Sequence, residues 1–309
     1  AKKLGLHAQA YFVYDSKKAG AVTVSHLRFG NEPIHAPYLI SAADFVGCHQ
    51  YHLLEQQPVL ETARDGAIFL LNTPHGPDTA WEHLSHETQE LLISKKLKFY
   101  VIDAYRIAKE TGMGARINTI MQVAYFALSD ILPLDQAITE IKGAIEKSYA
   151  RKGADLVQRN CNAVDKSVAG VYEVIVPETV TATRPRPFPI PVEAPDFVKA
   201  VSGTLLAGRG DQLPVSAFPP DGVWPTGTSK WEKRNLALEI PIWDSALCIQ
   251  CNKCVLVCPH AAIRAKYYPE AELSNAPSAF QSVAFRSPEI AGQRYTIQVA
   301  PEDCTGCRL

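Results

Sequence analysis

The run Cys248-Ile249-Gln250-Cys251-Asn252-Lys253-Cys254-Val255-Leu256-Val257-Cys258-Pro259 constrains this chain more than any other stretch of it. Two-residue gaps let one tight loop aim three thiolates at neighbouring corners of an iron–sulfur cubane. The C-x3-C-P ending lies where the chain has entered a helix that carries the next sulfur toward a second cluster. Cys248, Cys251 and Cys254 are therefore expected to bind one [4Fe–4S] cluster, and Cys258 to serve another. Pro259 removes a backbone donor and fixes the direction in which the chain leaves. Ile249, Val255, Leu256 and Val257 are expected to wrap the sulfurs in an apolar shell that sets the potential. Zinc also accepts four thiolates at C-x2-C spacing, and a zinc-stabilised module without enzymatic activity is the alternative. A three-cysteine run followed by Cys-Pro is an unusual pattern for it.

A second group, Cys304-Thr305-Gly306-Cys307, adds two ligands to the second cluster. Each cluster then counts three thiolates. The pattern places a further cysteine immediately after Leu309, so the chain is read as an internal part of a longer one, inactive by itself and holding clusters poorly. Six of the eight cysteines fall in these two groups. Such crowding in a chain of 309 residues reads as metal ligation rather than cross-linking.

The remainder has ordinary globular composition, 47% apolar and 20% charged. A formal net charge of −1 offers no basic surface for nucleic acid or anionic lipid. No apolar run is long enough to span a bilayer, and Ala1-Lys2-Lys3-Leu4-Gly5-Leu6-His7 carries no long apolar stretch. A cytoplasmic location is expected.

Short β-branched or aromatic runs predict strands over 8–14, 21–29, 44–48, 67–71, 97–103 and 171–176. Helical periodicity predicts helices over 81–95, 104–111 (capped by Asp103, stopped by Gly112), 135–152 and 154–169. This alternation defines an α/β fold: a Rossmann-like, mostly parallel sheet with flanking helices. From 177 to 225 the chain is rich in proline, including Arg184-Pro185-Arg186-Pro187-Phe188-Pro189-Ile190-Pro191, and reads as a linker or wrapping arm interrupted by a small helix over 194–206. Three regions follow: an α/β domain at 1–176, a linker and small domain at 177–240, and a partial ferredoxin-like α+β domain at 241–309.

Lesser signals carry less. Cys48, beside His49 and His52, reads as a buried free cysteine with loop histidines, and Cys161 as a small core residue. Gly112-Met113-Gly114 follows a helix and lacks the lysine of a phosphate loop, so it reads as a turn. His83 and His86 share the face of the expected helix 81–95 as solvated residues. Arg209-Gly210-Asp211 reads as a polar loop. The spacer from His260 to Asp303 reads as a surface insertion.

Three blocks then carry a resemblance along nearly the whole chain. Val24-Ser25-His26-Leu27-Arg28-Phe29-Gly30, Phe69-Leu70-Leu71-Asn72, Lys98-Phe99-Tyr100-Val101-Ile102-Asp103-Ala104 and Arg116-Ile117-Asn118-Thr119-Ile120-Met121-Gln122 form the first, Trp231-Glu232-Lys233-Arg234-Asn235 the second, and the cysteine region the third. In this order they resemble the gamma domain, the Glu-Lys-Arg domain and the two-cluster ferredoxin domain of single-chain pyruvate:ferredoxin (flavodoxin) oxidoreductases. The resemblance implies oxidative decarboxylation of pyruvate with coenzyme A to acetyl-CoA and carbon dioxide, with electrons passing to ferredoxin or flavodoxin, in a homodimer. It also implies thiamine diphosphate, Mg2+ and a third [4Fe–4S] cluster in domains outside this chain, and no catalytic residue within it. Another 2-oxoacid is the alternative substrate. The family's gamma domain opens with a glycine-rich segment that is missing ahead of the strand at 8–14, so the sheet is expected to lack a strand.

Overall fold

The computed structural model describes residues 5–14 and 22–309. The chain forms two compact units, one built mainly on His26–Val223 and the other mainly on Trp224–Leu309. The division falls inside the 177–240 stretch.

In the first unit a four-stranded sheet runs in the order β3 (Ala43–Cys48), β4 (Ala63–Asn72), β5 (Lys98–Ile102), β6 (Val171–Val174). The first three are parallel and β6 is antiparallel to β5. A strand covered on both faces needs a continuous apolar run: Phe69, Leu70 and Leu71 are all at most 1% exposed. Alternate residues feed two cores. Phe69, Leu71, Phe99 and Val101 pack with Trp81, Leu84 and Leu92, whereas Leu70 and Ile102 pack with Ile107, Ile120, Met121 and Ala163. The helices are the single turn α1 (Leu53–Gln56), α2 (His86–Ser94), α3 (Ala104–Glu110), α4 (Asn118–Leu128), α5 (Leu134–Tyr149) and α6 (Ala154–Ala169), with Ile141 and Ile145 of α5 packing on Val123 of α4 and Val164 of α6. Asp103 caps α3, its side chain accepting the Arg106 N–H at 2.9 Å, and Gly112 leaves that helix at φ +73°.

The α/β sheet with flanking helices expected from sequence is present, with two differences. The strands expected at 8–14 and 21–29 (residue 21 lies outside the described residues) pair with each other as β1 (His7–Tyr14) and β2 (Thr23–Gly30), in a sheet of their own. Phe12, Val13, Tyr14 and Val24 stay exposed, so the pair gains little from burial. The helix expected over 81–95 breaks at Leu84. Ala80–His83 is a 3-10 turn and α2 starts after Ser85, whose hydroxyl meets that of Thr88 at 2.8 Å. His83 then stacks on His75, while His86 Nδ1 meets the Ala182 carbonyl at 3.0 Å, so the two histidines do not share a face.

The proline-rich arm wraps the first unit. It has few donors of its own, and buried Gln89 meets two of them: its Oε1 accepts the N–H groups of Thr181 (2.8 Å) and Ala182 (2.9 Å) while its Nε2 donates to the Trp81 carbonyl. Arg184 forks onto Glu55. The small helix begins as a π turn, Val198–Ser202, and ends as α7 (Gly203–Leu206).

The second unit corrects the surface-insertion reading of the spacer. Residues between the cysteine groups form an antiparallel sheet, β7 (Ile263–Pro269) and β8 (Val283–Ala284) on either side of β9 (Gln293–Val299). Tyr268, Tyr295, Thr296 and Ile297 are buried, so this sheet is the core of the unit. One short helix, α8 (Lys253–Val257), lies within the cysteine run.

Candidate metal centre

Strand register brings the two cysteine groups together. Ile263 pairs with Val299, and Cys258 lies as far before Ile263 as Cys304 lies after Val299. The ladder continues toward both, with the Ala300 N–H donating to the Ala262 carbonyl at 2.8 Å. Nearer the sulfurs, the buried Thr305 hydroxyl lies 3.3 Å from His260 Nδ1. One end of one hairpin thus carries Cys258 and the Cys304–Cys307 turn.

Cys258 closes α8. Burial acts to raise its thiol, but hydrogen bonds from the backbone of His260, Ile263, Ala262 and Ala261 outweigh it and hold the group below the ordinary cysteine range. Ala261 at φ +51° turns the chain there. Converging N–H groups stabilise an anionic sulfur, the form that ligates metal.

The first loop is built differently. Gln250 and Asn252 both occupy the left-handed region, at φ +61° and +57°, which tightens the loop around the first three cysteines. The Gln250 N–H donates to Cys248 Sγ at 3.4 Å. Its side chain reaches the sheet, donating to the Ala284 carbonyl and accepting the Arg286 N–H, both at 2.8 Å. Asn252 accepts the Tyr295 hydroxyl. Burial, and then the nearby Cys248, Cys254 and Cys251, push the Tyr295 phenol above its usual range.

This donor set fits clusters. All six cysteines are free of disulfides. Among the described residues no three His, Cys, Asp or Glu side chains converge tightly enough for a single ion. Of the four apolar residues of the run, Val255 is half-buried, and Ile249 (73% exposed), Leu256 (82%) and Val257 (57%) are exposed.

The cysteines set aside in sequence stay apart. Buried Cys48 donates to the Gln50 carbonyl, and burial raises its thiol to about 11. Cys161 packs against the Val123, Ile141 and Val164 cluster. Gln250, Asn252 and Tyr295 escaped sequence reasoning, since no spacing motif marks a side chain that supports a ligand. The alternation of Tyr295 and Ile297 was the available sign.

A doubly covered α/β sheet followed by a small sheet presenting ferredoxin-spaced cysteines defines an iron–sulfur protein. Residues 1–170 match the family described as Pyruvate ferredoxin/flavodoxin oxidoreductase, and the chain belongs to that family. Residues 183–237 match a domain of unknown function, and residues 247–309 a 4Fe-4S dicluster domain. The chain is 53% identical over 304 residues to a putative pyruvate-flavodoxin oxidoreductase of Synechocystis sp., covering 98% of this chain and 25% of the relative. It is 54% identical over 303 residues to a probable pyruvate-flavodoxin oxidoreductase of Escherichia coli (98% and 26%). A pyruvate:ferredoxin oxidoreductase of Moorella thermoacetica is 45% identical over 302 residues (98% and 26%). The chain thus spans about a quarter of the length of these curated relatives. Among the described residues no helix is long and apolar enough to cross a membrane.

Proposed function

We propose that this chain is the electron-relay segment of an enzyme that oxidatively decarboxylates pyruvate with coenzyme A, giving acetyl-CoA and carbon dioxide. The β7–β9 register carries the reading: Cys258 and Cys304 lie equally far beyond the Ile263–Val299 pair, and Asn252 of the first loop accepts the Tyr295 hydroxyl of the same sheet. Cys248, Cys251 and Cys254 hold one [4Fe–4S] cluster, and Cys258, Cys304 and Cys307 hold the other. When bound, each supplies a one-electron couple. The protein's part is to hold the thiolates ionised and at fixed spacing. Backbone N–H groups favour the ionised thiol at Cys258, and the left-handed Gln250 and Asn252 fix the spacing of the first loop. Since Cys254 lies on α8 and Cys258 at its end, a ligand of one centre and a ligand of the other would sit about one helical turn apart along the chain.

The substrate and the acceptor, ferredoxin or flavodoxin, are taken from the names of the relatives. The remaining thiolate of each cluster, the thiamine diphosphate, Mg2+ and the third cluster belong to segments outside these residues, and the whole enzyme is a cytoplasmic homodimer. The test is the full-length gene product purified without air. Iron and acid-labile sulfide, with coenzyme A-dependent reduction of flavodoxin by pyruvate, support the reading. Zinc without iron overturns it, and turnover of a different 2-oxoacid in place of pyruvate corrects the substrate.

A further inference from the structure

The segment around Glu232-Lys233-Arg234 belongs to a domain of unknown function, yet it lies in the same compact unit as the cysteines. It has no regular secondary structure between Glu232 and Leu238, so its backbone donors need partners elsewhere. The Arg234 and Asn235 N–H groups both donate to the Glu302 carbonyl, at 2.9 and 3.0 Å. Asn235 at φ +49° helps aim two successive donors at one acceptor. Lys233 Nζ lies 3.2 Å from Asp303 Oδ1, the residue before Cys304. A Cβ on Gly306, which sits at φ +66°, would lie 3.3 Å from the Glu239 carbonyl, and Arg308 pairs with Glu239 at 2.7 Å. These contacts advance together along both stretches. Residues 233–239 therefore run alongside 302–308 in the same direction.

Asp303 also has a second partner. Arg264 Nη2 lies 3.1 Å from its other oxygen, while Arg264 Nε donates to the carbonyl of Ala261, in the turn after Cys258. The carboxylate is mostly covered, with its side chain 23% exposed. It ties the 233–239 segment, the Cys258 turn and the Cys304 turn to one point.

We propose that the Glu-Lys-Arg segment is a positioning element for the second cluster's thiolates, with Lys233 acting through Asp303 to hold the Cys304–Cys307 turn against the Cys258 turn. This rests on reading Cys258, Cys304 and Cys307 as ligands. In the full-length protein, Lys233→Met is expected to speed hydrogen exchange of the 302–306 amides about tenfold and to change the electron paramagnetic resonance signal of one cluster but not the other. Lys233→Arg keeps a cation within reach of Asp303 and is expected to restore both. If Lys233→Met does not accumulate as folded protein, Asp303→Asn, which preserves shape and removes charge, is judged by the same two measurements. Exchange within about twofold of the native rate, together with an unchanged signal, overturns the proposal. Native protein without iron would instead sink the ligand reading and leave the exchange result standing, so the two failures are separable.

Discussion

The Tyr295 hydroxyl donates to Asn252 Oδ1 at 2.6 Å, tying the central strand of the small sheet to the residue at which the cysteine loop turns into a helix. Asn252 is held in the left-handed region, a conformation that costs a non-glycine residue about 1 kcal/mol. The hydrogen bond offsets that cost and fixes where α8, and hence Cys254, begins.

Tyr295→Phe keeps the ring stacked on Phe285 and edge-on to Trp243 and removes only the hydroxyl. The expected loss is about 1–2 kcal/mol, read as a lowered urea midpoint, with slower cluster reconstitution. Full-length protein that reconstitutes at the native rate after this change would show that Asn252 needs no anchor.

Gln89→Leu is roughly isosteric but strips the arm of its acceptor. The Thr181 and Ala182 N–H groups and the Trp81 carbonyl then lose their partner at a fully buried position. A cost of about 2–4 kcal/mol is expected, together with faster proteolysis between residues 177 and 190. A stable variant with a protease-resistant arm would mean that the ion pairs of Arg184 and Arg186 suffice.

Burial holds the Tyr125 phenol at about 12, above the ordinary value of 10.0. A raised folded-state pKa means that the unfolded chain ionises first as the pH climbs. The neutral tyrosine's contribution is thus complete below about pH 10 and lost as the pH rises toward 12. Tyr125→Phe cannot ionise. Its urea midpoint relative to native protein is expected to be constant up to pH 9 and to rise through the interval above, and a flat difference would refute the assignment.

Cys251→Ser, in the first loop, is expected to remove one cluster's complement, about four iron atoms per chain, leaving the signal of the centre at Cys258. Simultaneous loss of both signals would mean that the two sites do not form independently. Iron analysis alongside spectroscopy of reduced protein checks this.

Much of the first unit was legible. The helix expected at 154–169 is α6 to the residue, because Gly153 and Gly170 bracket a clean apolar stripe. Helix α4 was harder, since Ile120, Met121, Val123 and Ala124 bury so much of its circumference that no polar face marks the period. Where β1 and β2 would pair was not legible, since alternation specifies a strand but not its neighbour. At the site, the ligand set was readable because chemistry fixes cysteine spacing. Lys233, Asp303 and Tyr295 were not, because supporting residues answer to three-dimensional register alone.

The mirror placement of Cys258 and Cys304 about one strand pair sets rules for how this region can vary in length. Gln281 and Ser282 bond to Thr296, Tyr268 and Arg294, but the segment Glu270–Asn275 lies at the far end of β7 and can grow or shrink with least effect on either sulfur. The shoulders cannot. A single residue inserted between Cys258 and Ile263, or between Val299 and Cys304, would rebuild the turn that aims one thiol and shift it relative to the other, so related sequences should show gaps in the connection and none in the shoulders.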